Sequence, residues 1–192
     1  MIETKRLLLR RFRSSEEDMN ALYQILSDKE VNTYLPWFPV ENHEQAIAFY
    51  NQRILKKYET EDGFYFAVCR KEEDLPIGYV VVSGDESRDF GYGLRKAFWN
   101  QGIITEAAAA VIDFLRESDW KYVTATHDRK NSASGEIMKK LGMTYRYSYE
   151  EQWQPKDIPV IFRMYQLNFD GSDWTYQAYW DKYPGHSVEE LD

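Results

Sequence analysis

Trp99-Asn100-Gln101-Gly102-Ile103-Ile104-Thr105-Glu106 runs straight into Ala107-Ala108-Ala109-Ala110, a tight loop around one glycine that opens an alanine-rich helix. A strand-like stretch, Asp89 to Arg95, precedes it, so the local order is strand, short loop, helix. The first amides of a helix have no intrahelical acceptor, and the helix dipole adds positive potential there. The stretch therefore predicts an anion site suited to phosphate. Gly102 has no Cβ, which lets a pyrophosphate approach the backbone closely. Glycine loops before helices also serve as plain connectors, so the segment decides little until the rest of the chain is read around it.

Downstream, Ile104, Ala108, Val111, Ile112 and Leu115 recur at i, i+4, i+7, i+8 and i+11, an apolar stripe that must pack on a sheet. Upstream, three strand candidates, Phe64 to Arg70, Ile77 to Ser83 and Asp89 to Arg95, are separated by turn-like KEEDLP and GDESR, as in an antiparallel meander. Arg6 to Phe12 reads as a first strand. Ser14 and Ser15, with Glu17 and Asp18, cap a helix carrying Met19, Leu22 and Leu26 and ending near Asp28, and Asn42 with Gln45 caps a second that runs to Lys57. Between them Tyr34-Leu35-Pro36-Trp37-Phe38-Pro39 is an apolar loop that either lines a pocket or plugs the core. After the central helix come a strand, Lys121 to Thr126, and a helix within Asp128 to Gly142. Asn131 or Ser132 caps that helix, Ala133, Ile137 and Leu141 form its buried face, and Gly142 stops it. Two strands, about Met143 to Trp153 and Ile158 to Leu167, close a mixed α/β sheet.

From residue 169 to 192 the chain is an aromatic, acidic tail, distinct from the domain at 1–168. Tyr176, Tyr179, Trp180 and Tyr183 share one face of a short helix, which either docks onto the domain's own surface or makes a homodimer contact. With 24 Lys and Arg against 32 Asp and Glu, the net charge of −8 argues against nucleic-acid or membrane-surface partners and tolerates a cationic one. The single cysteine, Cys69, excludes an internal disulfide and reads as a buried structural thiol. His43, His127 and His186 lack ligand spacing, so no metal is expected. No signal-peptide pattern or membrane-length apolar run is present, which predicts a soluble, cytoplasmic protein.

Three segments together resemble the GNAT superfamily of N-acetyltransferases, and within it the branch that acetylates ribosomal-protein N-termini. They are Glu3 to Arg10, similar to that branch's opening strand; Trp99 to Ala107, similar to its acetyl-CoA loop; and Asn131 to Met143, similar to its second cofactor helix. The family loop often ends in Gly or Ala where this chain has Ile104, whose branched side chain must turn into the core. The resemblance implies flanking helices around a mostly antiparallel sheet whose central strands splay. Acetyl-CoA, with no metal, would lie between the strand of Tyr92, Gly93 and Leu94 and the strand of Lys121 to Thr126.

It further implies that the backbone of Tyr92 to Leu94 pairs with the pantetheine, with an amide near Leu94 polarising the thioester. Amides from Gln101, Gly102, Ile103, Ile104, Thr105 and Glu106 would hold the pyrophosphate, and Asn131 and Ser134 would contact the cofactor arm. Many members place a tyrosine acid where this chain has Met138, which cannot donate a proton. Ser134 is then the first candidate for the departing thiolate, with Tyr145 and Tyr147 as alternatives, and Glu150 or Glu151 for the base. The expected reaction is acetyl transfer to a primary amine, a protein N-terminus or a small molecule. The alternative is a noncatalytic acyl-CoA-binding module.

Overall fold

The computed structural model describes residues 1–191, and its strands divide into two antiparallel sheets. The first is built in chain order. β1 (Ile2–Glu3) folds back on β2 (Leu7–Arg10), which pairs with β3 (Gly63–Arg70) after a helical excursion, and β4 (Pro76–Ser83) and β5 (Phe90–Leu94) follow as a meander. The excursion holds α1 (Glu16–Ser27), whose first turn is capped by the Ser15 hydroxyl accepting from Asp18 N. It also holds α2 (His43–Phe49), where Asn42 Oδ1 accepts from Gln45 N at 2.9 Å. α2 continues without a break through a π-helical stretch, Tyr50–Leu55, into α3 (Lys56–Thr60). The expected second helix is thus one rod of three segments in two geometries. Both caps satisfy amides that would otherwise lack acceptors, the reason these polar residues stand where an apolar stripe begins.

The second sheet has the order β6-β8-β7-β9, from β6 (Tyr122–Asp128), β7 (Thr144–Trp153), β8 (Ile158–Asn168) and β9 (His186–Ser187). α4 (Ile103–Arg116) underlies both sheets. Its stripe of Ile104, Ala107, Ala108, Val111, Ile112 and Leu115 packs in one cluster with Leu9, Val68 and Val80 of the first sheet and Val123, Ala125 and Tyr165 of the second. A second apolar layer joins Leu22, Ile25 and Leu26 of α1 and Ile54 of the π-helical stretch to Tyr65, Ala67 and Tyr79 on the opposite face of the first sheet.

α5 (Ser132–Lys140) starts at Asn131, as its capping side chain requires, but its buried face differs from expectation. Gly135 and Met138 are buried, Ile137 and Leu141 lie half-buried beside them, and Ala133 is exposed. The reason is Gly135: a Cβ there would stand 2.8 Å from His127 Nε2, so the helix seats its glycine on the β6 imidazole. The tail also departs from a single helix. Among its described residues only α6 (Ala178–Lys182) is helical; Tyr176 binds Gln166 through its backbone, and β9 adds a strand beside β7. Tyr179, Trp180 and Tyr183 pack on Tyr147 and Tyr149 of β7, so this aromatic face docks on the domain's own sheet.

Candidate active site

The two sheets part where β5 leaves β6. Among the described residues these strands share one parallel bridge, Asp89 to Thr124, and beyond it they diverge. The resulting V opens on a cleft of about 680 Å³ lined by Tyr92, Gly93 and Leu94 on one side and Asn131, Ala133 and Ser134 on the other. The starts of α4 and α5 both face it.

The open edge of β5 follows from its register. Gly91 and Gly93 stand opposite Val81 and Tyr79, and the flanking bonds Ser83 N to Asp89 O (2.8 Å) and Arg95 N to Ile77 O (2.9 Å) make these the hydrogen-bonded pairs. In an antiparallel ladder the alternate residues point their N–H and C=O groups the other way. Tyr92 and the Leu94 amide therefore present unpaired backbone to the cleft, while Trp99 Nε1 donates to the Leu94 carbonyl at 2.8 Å and fixes the loop to the strand. Gly93 has a steric reason as well: a Cβ there would lie 2.6 Å from the ring of Tyr79, which is fully buried across it.

At the loop, Asn100 (φ 58°) and Gly102 (φ 69°) take left-handed conformations that turn the chain into α4 without a side-chain cap. Glu106 N already donates to Gly102 O at 3.0 Å, so the free amides are those of Gly102, Ile103, Ile104 and Thr105. Ile104 is buried in the core, as its place in the stripe requires, leaving its amide at the cleft. The loop is held from behind by Arg6, whose guanidinium donates to Gln101 O at 3.0 Å and to Glu106 Oε2 at 2.6 Å. The Thr4 hydroxyl donates to the same carboxylate at 2.6 Å. Burial alone would raise the Glu106 pKa; the Thr4 and Arg6 bonds outweigh it and hold the carboxyl below its ordinary value. Glu106 and Gln101 adjoin the site as braces and do not line the cleft.

On the facing wall Asn131 Oδ1 accepts from Ser134 N at 3.3 Å, and the Tyr92 hydroxyl reaches across to the Ser134 carbonyl at 2.9 Å, with Ser134 Oγ at 3.1 Å. Burial raises the Tyr92 phenol pKa, so it is a neutral donor at physiological pH. Met138 is buried in the core and turned from the cleft.

Tyr145 and Glu150 stand apart from these residues. The Tyr145 hydroxyl is 2.9 Å from Ser148 Oγ and accepts from Glu189 N at 3.0 Å, and Glu189 pairs with Arg163 at 2.6 Å, so the tail occupies that phenol. Glu150 is exposed on β7 beside Gly185, to whose carbonyl its amide donates. Tyr147 is buried under the tail, its hydroxyl bonded to Tyr176 O and pushed up to about 12 by burial. In the apolar loop, Tyr34 lines the cleft, whereas Trp37 packs on Phe49 and donates to Asn32 Oδ1 at 2.9 Å. Sequence reasoning missed Arg6, which reads as an edge charge until its tertiary bonds to Gln101 and Glu106 distinguish it.

Residues 6–144 match the model of the acetyltransferase (GNAT) domain family. An uncharacterised N-acetyltransferase, YoaA, of Bacillus subtilis is 24% identical over 172 residues, 87% of this chain and 96% of that protein. Among solved structures, a GNAT-family acetyltransferase of Bacillus anthracis superposes with a TM-score of 0.75 at 23% identity, covering 88% of this chain and 98% of its own. RimL, a ribosomal L7/L12 α-N-protein acetyltransferase in complex with coenzyme A, superposes with a TM-score of 0.74 at 18% identity, covering 88% and 97%. No group of three or more metal-ligating side chains occurs among the described residues. An unpaired strand edge and a run of free helix-start amides fit an extended thioester bearing a pyrophosphate, and with the family match they show that this chain belongs to the GNAT acetyltransferases, with acetyl-CoA as its acyl donor.

Proposed function

We propose that the chain transfers an acetyl group from acetyl-CoA to a primary amine, a protein N-terminus or a small molecule, by direct attack in a ternary complex. The observation that carries this reading is the convergence of three features in one cleft: the open backbone of Tyr92 and Leu94, the free amides of Gly102 to Thr105, and the capped start of α5. In this reading the helix-start amides hold the pyrophosphate, and the Tyr92 to Leu94 edge pairs with the pantetheine arm as an added strand would. The Leu94 amide stabilises the developing oxyanion, a contribution whose loss costs about a hundredfold or more in rate. Ser134 is assigned to the departing thiolate, supported by its hydroxyl's place beside the Tyr92 phenol. The positions of Tyr145 and Glu150 outside the cleft speak for Ser134 over Tyr145 as acid and against Glu150 as base. RimL acts on a ribosomal protein, which makes a protein N-terminus one acceptor class to try.

The test is calorimetric titration with acetyl-CoA, followed by an amine panel containing a serine-initiated peptide, an alanine-initiated peptide and aliphatic amines. Saturable binding with acetylated product is the expected result. Tight binding without turnover on any acceptor would instead favour a noncatalytic acyl-CoA module, and absence of binding would overturn the assignment of the cleft.

A further inference from the structure

Tyr92 belongs to one wall of the cleft and is hydrogen-bonded to the other. Strand alternation turns Phe90 and Tyr92 to the same side of β5, toward α4 and α5. Phe90 is fully buried and meets the Tyr92 ring edge-on, with centroids 6.3 Å apart at 64°, which steadies that ring. The phenol oxygen then stands 2.9 Å from the Ser134 carbonyl and 3.1 Å from Ser134 Oγ. Both residues line the cleft.

These two contacts settle where the hydroxyl protons lie. A carbonyl oxygen only accepts, so the single phenol proton goes to Ser134 O, and Tyr92 Oη keeps its lone pairs for the Ser134 hydroxyl. Burial raises the phenol pKa and the Ser134 hydroxyl opposes that rise, as a donor to the phenol oxygen does. The Ser134 proton is therefore parked on Tyr92 instead of pointing into the cleft. Ser134 itself is fixed from the other side. Asn131 Oδ1 takes its N–H at 3.3 Å, and the next residue, Gly135, is seated on the His127 ring.

We propose that Tyr92 is a positioning residue for acetyl transfer, its phenol oxygen holding the Ser134 hydroxyl proton in reserve until charge develops on the leaving sulfur. The inference rests on the reading of Ser134 given above. A thioester sulfur is a weak acceptor, and the phenol oxygen outcompetes it. A thiolate is a charged acceptor, and charge-assisted bonds are roughly twice as strong as neutral ones. As the neutral amine nitrogen bonds the carbonyl carbon, the C–S bond breaks and its electron pair stays on sulfur. Ser134 Oγ–H then turns from Tyr92 to that sulfur. The proton that completes the coenzyme A thiol comes from the nitrogen, so both hydroxyls end the cycle as they began it. A bond made only as charge appears lowers the barrier without tightening the ground state.

The experiment titrates the thiol of bound coenzyme A by its thiolate ultraviolet absorbance, from about pH 6 to pH 10, a range that spans the ordinary thiol value. The acetyl-CoA complex, which has no such thiol, is the blank, and Cys69 is pushed up to about 12 by burial and stays protonated. Wild type, Tyr92→Phe, Ser134→Ala and the double variant are compared at saturating coenzyme A. Affinities are expected to stay within about fivefold, the worth of one neutral hydrogen bond. In the wild type the bound thiol should titrate about one unit below free coenzyme A, because a hydrogen bond to the charged form favours it. Tyr92→Phe and Ser134→Ala should each lose most of that shift, and the double variant should lose no more than Ser134→Ala alone. With an amine, Tyr92→Phe should lower kcat about tenfold and leave KM in place, the mark of an interaction made in the transition state. A Tyr92→Phe thiol that titrates as in the wild type, or losses that add in the double variant, would overturn the assignment of Tyr92. A wild-type thiol that titrates like free coenzyme A would overturn the role of Ser134 and this inference with it. Failure of the amine reading looks different: the thiol shift and its loss in the variants stand, and no amine is acetylated.

Discussion

The two walls of the cleft solve the problem of a helix start in opposite ways. On the α4 wall the first amides have no cap and the strand edge has no partner. On the α5 wall the local groups are largely satisfied: Asn131 Oδ1 takes Ser134 N, Asp128 O takes Asn131 N at 2.7 Å, and Asp128 Oδ1 takes Lys130 N at 2.8 Å. A polyanion gains most where donors lack acceptors, so the first wall is built to bind and the second to position. Even the supports differ. The open loop is braced by a charged network from Arg6 and Glu106, whereas α5 is seated by a glycine on an imidazole.

The largest expected effect breaks the binding wall. Gly93→Ala drives a Cβ to 2.6 Å from the Tyr79 ring, costing about 1–3 kcal/mol of stability by overpacking. It should also raise the acetyl-CoA Kd more than tenfold; an unchanged Kd in calorimetry would remove β5 from the ligand site. Gly135→Ala is the counterpart on the other wall, with a Cβ 2.8 Å from His127 Nε2. A stability loss of the same order, about 1–3 kcal/mol, should come with a smaller rise in Kd, and the contrast between the two variants is the measurement. Asn131→Ala removes the α5 cap, about 1 kcal/mol, so thermal melts should fall by about 2–4 °C, with a rise in acetyl-CoA Kd smaller than that of Gly93→Ala.

Glu106→Gln gives the smallest change at neutral pH and carries a sign. Because the folded state holds this carboxyl below its ordinary pKa, its contribution is present above that ordinary value and fades as pH falls through the folded one. Melting curves of wild type and variant should therefore differ at pH 7 and draw together as pH falls below the ordinary glutamate range. A difference that persists in acid would mean the brace is not electrostatic.

Much of the fold around the cleft is legible because its determinants are local. The loop glycine, the stripe from Ile104 to Leu115 and the caps at Ser15, Asn42 and Asn131 each act within a few residues, and all are found as read. The buried face of α5 was misread because Gly135 contributes no apolar signal, yet its missing side chain decides the packing against His127. The tail's aromatic residues announced a packed face but not its strand β9, nor that Glu189 would close over Tyr145.

A single bridge between two sheets, among the described residues, is also a weak seam in cooperativity. The meander and the β6-β8-β7-β9 sheet each complete their own ladders, and besides that bridge and the turn contacts it is α4 that packs on both. Separate opening of such units is what native-state hydrogen exchange detects. A donor lying along Tyr92 to Leu94 would act as the absent strand, tying the units together while it is bound. The slowing of exchange should then spread into β6 and α5, and the acyl donor would serve, for as long as it stays, as part of the fold.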